Sequence, residues 1–182
     1  MSQQEIEKAC EELVNNIFDL TNVPEEQRKS ITDQAKSYVA DKVDEILGPV
    51  RLEHEKMNEG FEKFHIRGLM YQGNPFYAVI HHFTGPDEGD PHDHPFGMDI
   101  TLLKGEQLER IFWKKNDGTW RDKLFHRHEG SSRYVQANTI HRIESLPHGE
   151  CYTLMMPDWH EQRWGSWIQN EDGSRTFVEA DQ

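Results

Sequence analysis

Apolar residues recur at spacings of three and four through the first fifty positions. Ile6, Cys10, Leu13, Ile17 and Leu20 fall on one face of a helical wheel and predict an amphipathic helix. A second stripe of Ile31, Ala35, Tyr38, Val39, Val43, Ile46 and Leu47 follows a start signal at Asn22-Val23-Pro24-Glu25-Glu26. Gly48-Pro49 is the expected stop. The two stripes predict a helical hairpin over residues 1–50, packed on the outside of a domain that occupies 51–182.

From about residue 60 the period changes to alternation, and glycine and aromatic residues rise. Stretches 76–83, 98–103, 108–113, 123–127, 133–136, 140–145, 152–156, 162–168 and 176–179 predict strands. Turn signals separate them at Gly85-Pro86, Gly105-Glu106, Asn116-Asp117-Gly118, His128-Glu129-Gly130, Pro147-His148-Gly149 and Asp172-Gly173. Many short strands at close spacing predict an antiparallel sandwich or barrel. Neither an internal repeat nor a low-complexity tract interrupts the pattern.

Charge narrows the partners. Lys plus Arg number 20 against 33 Asp plus Glu, a net −13 that repels phosphate backbones and anionic membrane alike. No apolar run approaches the roughly 18 residues of a spanning helix. The N-terminal segment is polar and acidic, without the basic-then-apolar order of a signal peptide. Cys10 and Cys151 stand alone and read as reduced thiols, so a cytoplasmic location is the expectation.

Histidine is the outlier, with 11 residues, most of them after position 80. In Gly89-Asp90-Pro91-His92-Asp93-His94-Pro95, two histidines at i and i+2 on extended chain project to one face. That spacing lets two imidazoles chelate one ion. In 138–144, His141 shares a face with apolar Ile143, which makes it an inward-pointing candidate third ligand. His126 and His128 have the same i, i+2 spacing but sit beside charged residues at a turn and read as solvated. His81 and His82 are adjacent and face opposite ways, one of them inward as a hydrogen-bonded side chain. His148 and His160 fall in turn-like segments. Trp159, Trp164 and Trp167 read as core and rim, the last two on opposite faces of a strand.

The arrangement resembles the cupin family. Cupins carry a first motif of Gly, two histidines one apart, an acidic residue and Gly, met here by Gly85, His92, His94, Asp99 and Gly105. The second motif is met by Gly130, Gln136, Asn138, His141 and Ser145, with Gln136, Asn138 and Ser145 departing from the usual Pro, Gly and Asn. The resemblance implies a mostly β, cupin-type antiparallel jelly-roll barrel. Stretches 67–74, 76–83, 91–95 and 133–144 are further similar to the thiol dioxygenase branch, over about residues 64–157. That likeness implies ferrous iron held by His92, His94 and His141, and dioxygen as co-substrate. It implies that Arg67 clamps a substrate carboxylate, with His65 standing where a tyrosine is usual. It also allows a homodimer through sheet edges.

This chain departs from that branch at Thr153, Met155 and Pro157, where its Ser-His-Tyr relay would fall, and at Asp99, where a cross-linked cysteine is usual. Asp99 reads either as a fourth metal ligand or as a carboxylate outside the site. Pro95 and Gly97 interrupt the alternation between His94 and Asp99, so parity does not choose between them. The expectation is an iron(II) dioxygenase acting on a small thiol or carboxylate-bearing molecule. A metal-dependent isomerase or lyase and a non-catalytic small-ligand-binding cupin are the alternatives. Manganese, nickel, copper and zinc also suit these donors.

Overall fold

The structure is a computed structural model that describes residues 1–158 and 162–180, so Trp159 and His160 lie outside the described residues. Helix α1 (Gln3–Thr21) begins at a capping box in which the Ser2 hydroxyl accepts from Glu5 N–H while Glu5 receives the Ser2 N–H. Asn22 ends it in the left-handed conformation at φ 52°. Helix α2 (Glu25–Lys42) follows after three residues. Ala9, Leu13, Ile17, Ile31, Ala35 and Val39 from the two helices form one core with Ile66, Ile80, Leu154 and Met156 from the sheet beneath.

Among the described residues twelve strands follow: β1 (Glu45–Asn58), β2 (Phe61–Tyr71), β3 (Asn74–Pro75), β4 (Val79–Phe83), β5 (Met98–Gly105), β6 (Gln107–Lys114), β7 (Trp120–Arg127), β8 (Ser132–Val135), β9 (Ile140–Ser145), β10 (Cys151–Pro157), β11 (Gly165–Gln169) and β12 (Arg175–Glu179). Every ladder is antiparallel. One sheet runs β1-β2-β4-β10-β5-β8, with β3 on β2. The second layer is β7-β6-β9, which backbone bridges from His92 to His141 and to Ser166 join to β11-β12. The fold is an antiparallel jelly roll with an N-terminal helical hairpin. The first sheet carries the helices on its outer face and a cavity on its inner one.

Alternation along β5 shows the two faces. Met98 and Ile100 line the cavity, whereas Asp99, Thr101 and Leu103 turn to the helices. Gly105 makes the tight turn into β6 at φ +82°, and a Cβ there would strike the Glu150 carbonyl oxygen. That turn sets the register that brings Gln107 and Glu109 inward.

Two boundaries differ from the sequence reading. The second helix stops at Lys42, and Glu45 onward is strand, so Ile46 and Leu47 are not helical and Gly48-Pro49 lies inside β1. The apolar spacing that suggested a longer helix is the half-buried alternation of an edge strand. Strands β1 and β2 were not expected. The charged run of β1 leaves its far half exposed, and β2 is covered on both faces, so neither alternates cleanly.

Candidate metal centre

His92 and His94 lie on an extended connection between β4 and β5 rather than in a regular strand. Backbone pairing holds that connection. His92 N–H donates to His141 O at 3.0 Å, His141 N–H to His92 O at 2.9 Å, and His94 N–H to Ala137 O at 3.0 Å. The intervening Asp93 is buried and points the other way. Its carboxylate accepts from Gly165 N–H at 2.8 Å and from Trp167 Nε1–H at 3.2 Å. Asp93 therefore pins the loop to β11 and fixes the direction of the two flanking imidazoles.

The three imidazoles meet. The ligand nitrogens of His92, His94 and His141 lie within 4.8 Å of one another. Their ring centroids are 5.0–5.2 Å apart. His94 Nε2 and His141 Nε2 approach to 2.8 Å. Two nitrogens that each bind one ion at about 2.1 Å sit about 3 Å apart, so the observed approach fits a shared cation. Burial, and then the neighbouring imidazoles, hold the pKa values of His92 and His94 below the usual histidine range.

Behind His141 stands Glu109, fully buried on β6. Its Oε1 faces His141 Nδ1 at 2.7 Å and accepts from Arg133 Nη2 at 2.7 Å, while Oε2 accepts from Arg127 Nε at 2.8 Å. Burial alone would raise this carboxyl. The His141 hydrogen bond and the Arg133 charge outweigh it and hold Glu109 well below the usual carboxylate range. A carboxylate at Nδ1 makes that nitrogen the donor and leaves Nε2 as the lone pair facing His94. The donor set, its orientation and the supporting carboxylate fit a divalent transition metal.

A cavity of about 440 Å³ opens onto the same histidines. Its walls are largely apolar, with Phe61, Tyr77, Phe83, Phe96, Met98 and Met155 among them. Three cavity-lining residues each carry a buried polar atom without a protein partner: His81 Nε2, Gln107 Oε1 and Arg133 Nε. Burial, with the Lys63 and His65 charges, keeps His81 neutral at a pKa of about 3. Such atoms in a cavity mark where a ligand's polar groups are met.

The structure places the other expected site residues elsewhere. Asp99 is not with the histidines. β5 runs regularly from Met98, which turns Asp99 outward, where its Oδ2 accepts from Tyr38 Oη of α2 at 3.0 Å. Arg67 does not line the cavity. Its Nε donates to Glu53 Oε2 of the edge strand at 2.6 Å, so its charge is already matched. His65, beside it on β2, faces Glu55 at 2.6 Å and does not line the cavity either. His81 points inward as expected of one of the pair, while His82 stacks on Tyr152. Sequence reasoning missed Glu109, Arg133, Gln107 and Asp93. Their signal was weak: acidic, basic and amide residues in strands read first as solvated faces.

No protein-family model matches the chain, and no curated protein does. Solved structures give distant likenesses. A Bacillus subtilis oxalate decarboxylase studied for its Mn(II) centres matches at 14% identity over 63% of this chain and 30% of its own, with a TM-score of 0.46. A cupin-2 domain protein from Rhodospirillum rubrum matches at 10% identity over 68% and 78%, with a TM-score of 0.46. An Fe(II)-bound HppE with an alternative substrate matches at 9% identity over 65% and 61%, with a TM-score of 0.44. This chain thus spans under a third of the oxalate decarboxylase length. At TM-scores below 0.5, the fold rests on the sheet order above and the function on the residues of the site.

Proposed function

We propose that this chain is a metal-dependent cupin that binds ferrous iron through His92, His94 and His141 and uses dioxygen to oxidise a small molecule. The observation that carries the reading is the convergence of three imidazoles from two separate segments on one point beside a largely apolar cavity, with Glu109 behind His141. Three protein ligands leave positions on the metal open to substrate and dioxygen. Bound iron would supply the electrons that activate dioxygen.

The chain's own residues do the rest. Glu109 holds His141 in the tautomer that presents Nε2. Asp93 keeps His92 and His94 on a fixed arc of backbone. The apolar walls exclude water from the reacting face. Arg133 Nε–H offers a donor and Gln107 Oε1 an acceptor to one polar end of a substrate. The substrate class is therefore a small molecule with substantial apolar surface whose thiol or carboxylate is met by the unpartnered polar atoms of the cavity. Arg67, held by Glu53 and outside the cavity lining, does not serve as the anchor for a substrate carboxylate.

The test is anaerobic reconstitution of chelator-stripped protein with Fe(II), then oxygen uptake on a panel of aromatic and aliphatic thiols and carboxylates beside free cysteine. Uptake with apolar members above cysteine is expected. No uptake on any member, with iron bound, overturns the oxygenase reading. The same neutral-ligand site also suits a metal-dependent isomerase or lyase, and turnover that is equal with and without dioxygen would select that class.

A further inference from the structure

A second group of imidazoles gathers on the surface at the open end of the β6-β7 hairpin, away from the turn that joins its strands. Glu106 stands between β5 and β6, His126 near the end of β7, His128 just past it, and His148 in the turn between β9 and β10. All three histidines face one carboxylate. His126 Nε2 lies 2.8 Å from Glu106 Oε2, His128 Nδ1 3.1 Å from Oε1, and His148 Nε2 3.4 Å from Oε2. The rings of His126 and His128 are in contact, with centroids 4.0 Å apart.

We propose that Glu106, His126, His128 and His148 form a second, solvent-open site for a divalent transition metal such as zinc, nickel or copper. Three observations carry it. First, the candidate ligand atoms of Glu106, His126 and His128 lie within 4.8 Å of one another. Second, they come from two segments that the ladder register brings together, with Gln107 opposite Arg127 and Leu108 opposite His126, so Glu106 sits beside the i, i+2 histidine pair by construction. Third, nearby cationic side chains are engaged elsewhere: Lys104 donates to Glu150 at 2.9 Å and Arg127 to Glu109 at 2.8 Å. Among the described residues no ammonium or guanidinium is paired with this carboxylate, and three imidazole nitrogens share it instead.

Donor chemistry sets the ligand. Imidazoles with one carboxylate suit borderline ions, whereas calcium and magnesium ask for oxygen. The net −13 of the chain adds attraction for any cation without choosing among them. The side chains of His126, His128 and His148 are 44%, 61% and 65% exposed, so bound metal exchanges freely with solvent.

The test is zinc titration by calorimetry on untagged, chelator-stripped protein. Wild type is expected to take up about two zinc ions per chain, and the H126A/H128A variant about one. These side chains are exposed, so thermal unfolding of the double variant without metal should match wild type. E106Q keeps the shape and loses the charge, and should weaken the second binding phase at least ~10-fold. H94A removes the buried site and should retain the surface phase. Wild-type stoichiometry in H126A/H128A, or an unchanged second phase in E106Q, overturns the proposal. Because the surface phase is read apart from oxygen uptake, it stands or falls independently of the buried centre.

Discussion

Glu109 Oε1 accepts hydrogen bonds from His141 Nδ1–H and Arg133 Nη2–H on the same oxygen, each at 2.7 Å. One buried carboxylate therefore couples the metal face of the site to the strand that lines its cavity. Glu109→Gln keeps the volume but removes the charge. It lets Nδ1 of His141 face an amide and leaves Arg127 and Arg133 without their counter-charge. Metal affinity should fall about 10- to 100-fold. The metal-free protein should lose on the order of 3 kcal/mol, because two guanidinium groups lose their buried partner. Metal analysis after dialysis, beside urea unfolding of the stripped protein, reads the two effects separately. Unchanged metal content would mean that His141 does not depend on Glu109.

Asp99 belongs to the helix-sheet contact. Tyr38 Oη lies 3.0 Å from Asp99 Oδ2 and 2.7 Å from Met156 O, and its single hydrogen serves one of these at a time. Asp99→Asn should leave the bound metal unchanged. Tyr38→Phe should remove one hydrogen bond, about 1 kcal/mol, and lower the melting temperature by about 2–4 °C. Loss of metal in Asp99→Asn would return the carboxylate to the site.

Much of this was readable in the chain. Periodicity placed the helical pair and the strands from β4 onward because each buries one face and leaves the other wet. Spacing placed His92 and His94, and the apolar neighbour Ile143 gave the direction of His141. What stayed hidden depends on pairing between distant segments. Glu109 in β6 is an ordinary surface-type residue until β9 sets His141 beside it and Arg127 and Arg133 arrive from β7 and β8. Asp99 was ambiguous for a different reason: irregular chain between His94 and Met98 erases the parity that would have assigned its face. Arg67 fits a motif by position, but only the β1-β2 register shows Glu53 close enough to neutralise it.

Cys151, the first residue of β10 between β4 and β5, is fully buried, and its thiol is pushed up to about 12, by burial first and by Asp87 and Glu150 after it. The native protein should therefore react negligibly with a thiol reagent at pH 8 and titrate both cysteines once unfolded. The linkage has a definite sign. An unfolded thiol loses its proton near pH 8.5 while the native one keeps it, so the Cys151 contribution is intact below that value and declines as pH rises toward 12. Urea midpoints at pH 7.5 and at pH 10 should show the drop, and Cys151→Ala should flatten it. A midpoint equally pH-dependent in Cys151→Ala would assign the effect to other groups.

The two arginines separate two ideas about substrate. If a carboxylate were clamped at Arg67, Arg67→Ala would raise KM sharply. Glu53 holds that guanidinium at 2.6 Å and the residue does not line the cavity, so oxygen uptake by the iron-loaded variant should stay within about twofold of wild type. Arg133 lines the cavity with Nε free while Nη2 is tied to Glu109. Arg133→Lys would place an ammonium near Glu109 but lose the unpartnered Nε–H of a cavity-lining residue, because a lysine offers a point charge in place of a planar fork. Its KM should rise by about tenfold, the worth of one hydrogen bond to a polar head, with metal content held. The opposite pattern, a large effect at Arg67 and none at Arg133, would place the polar end of the substrate at the β1-β2 edge of the sheet.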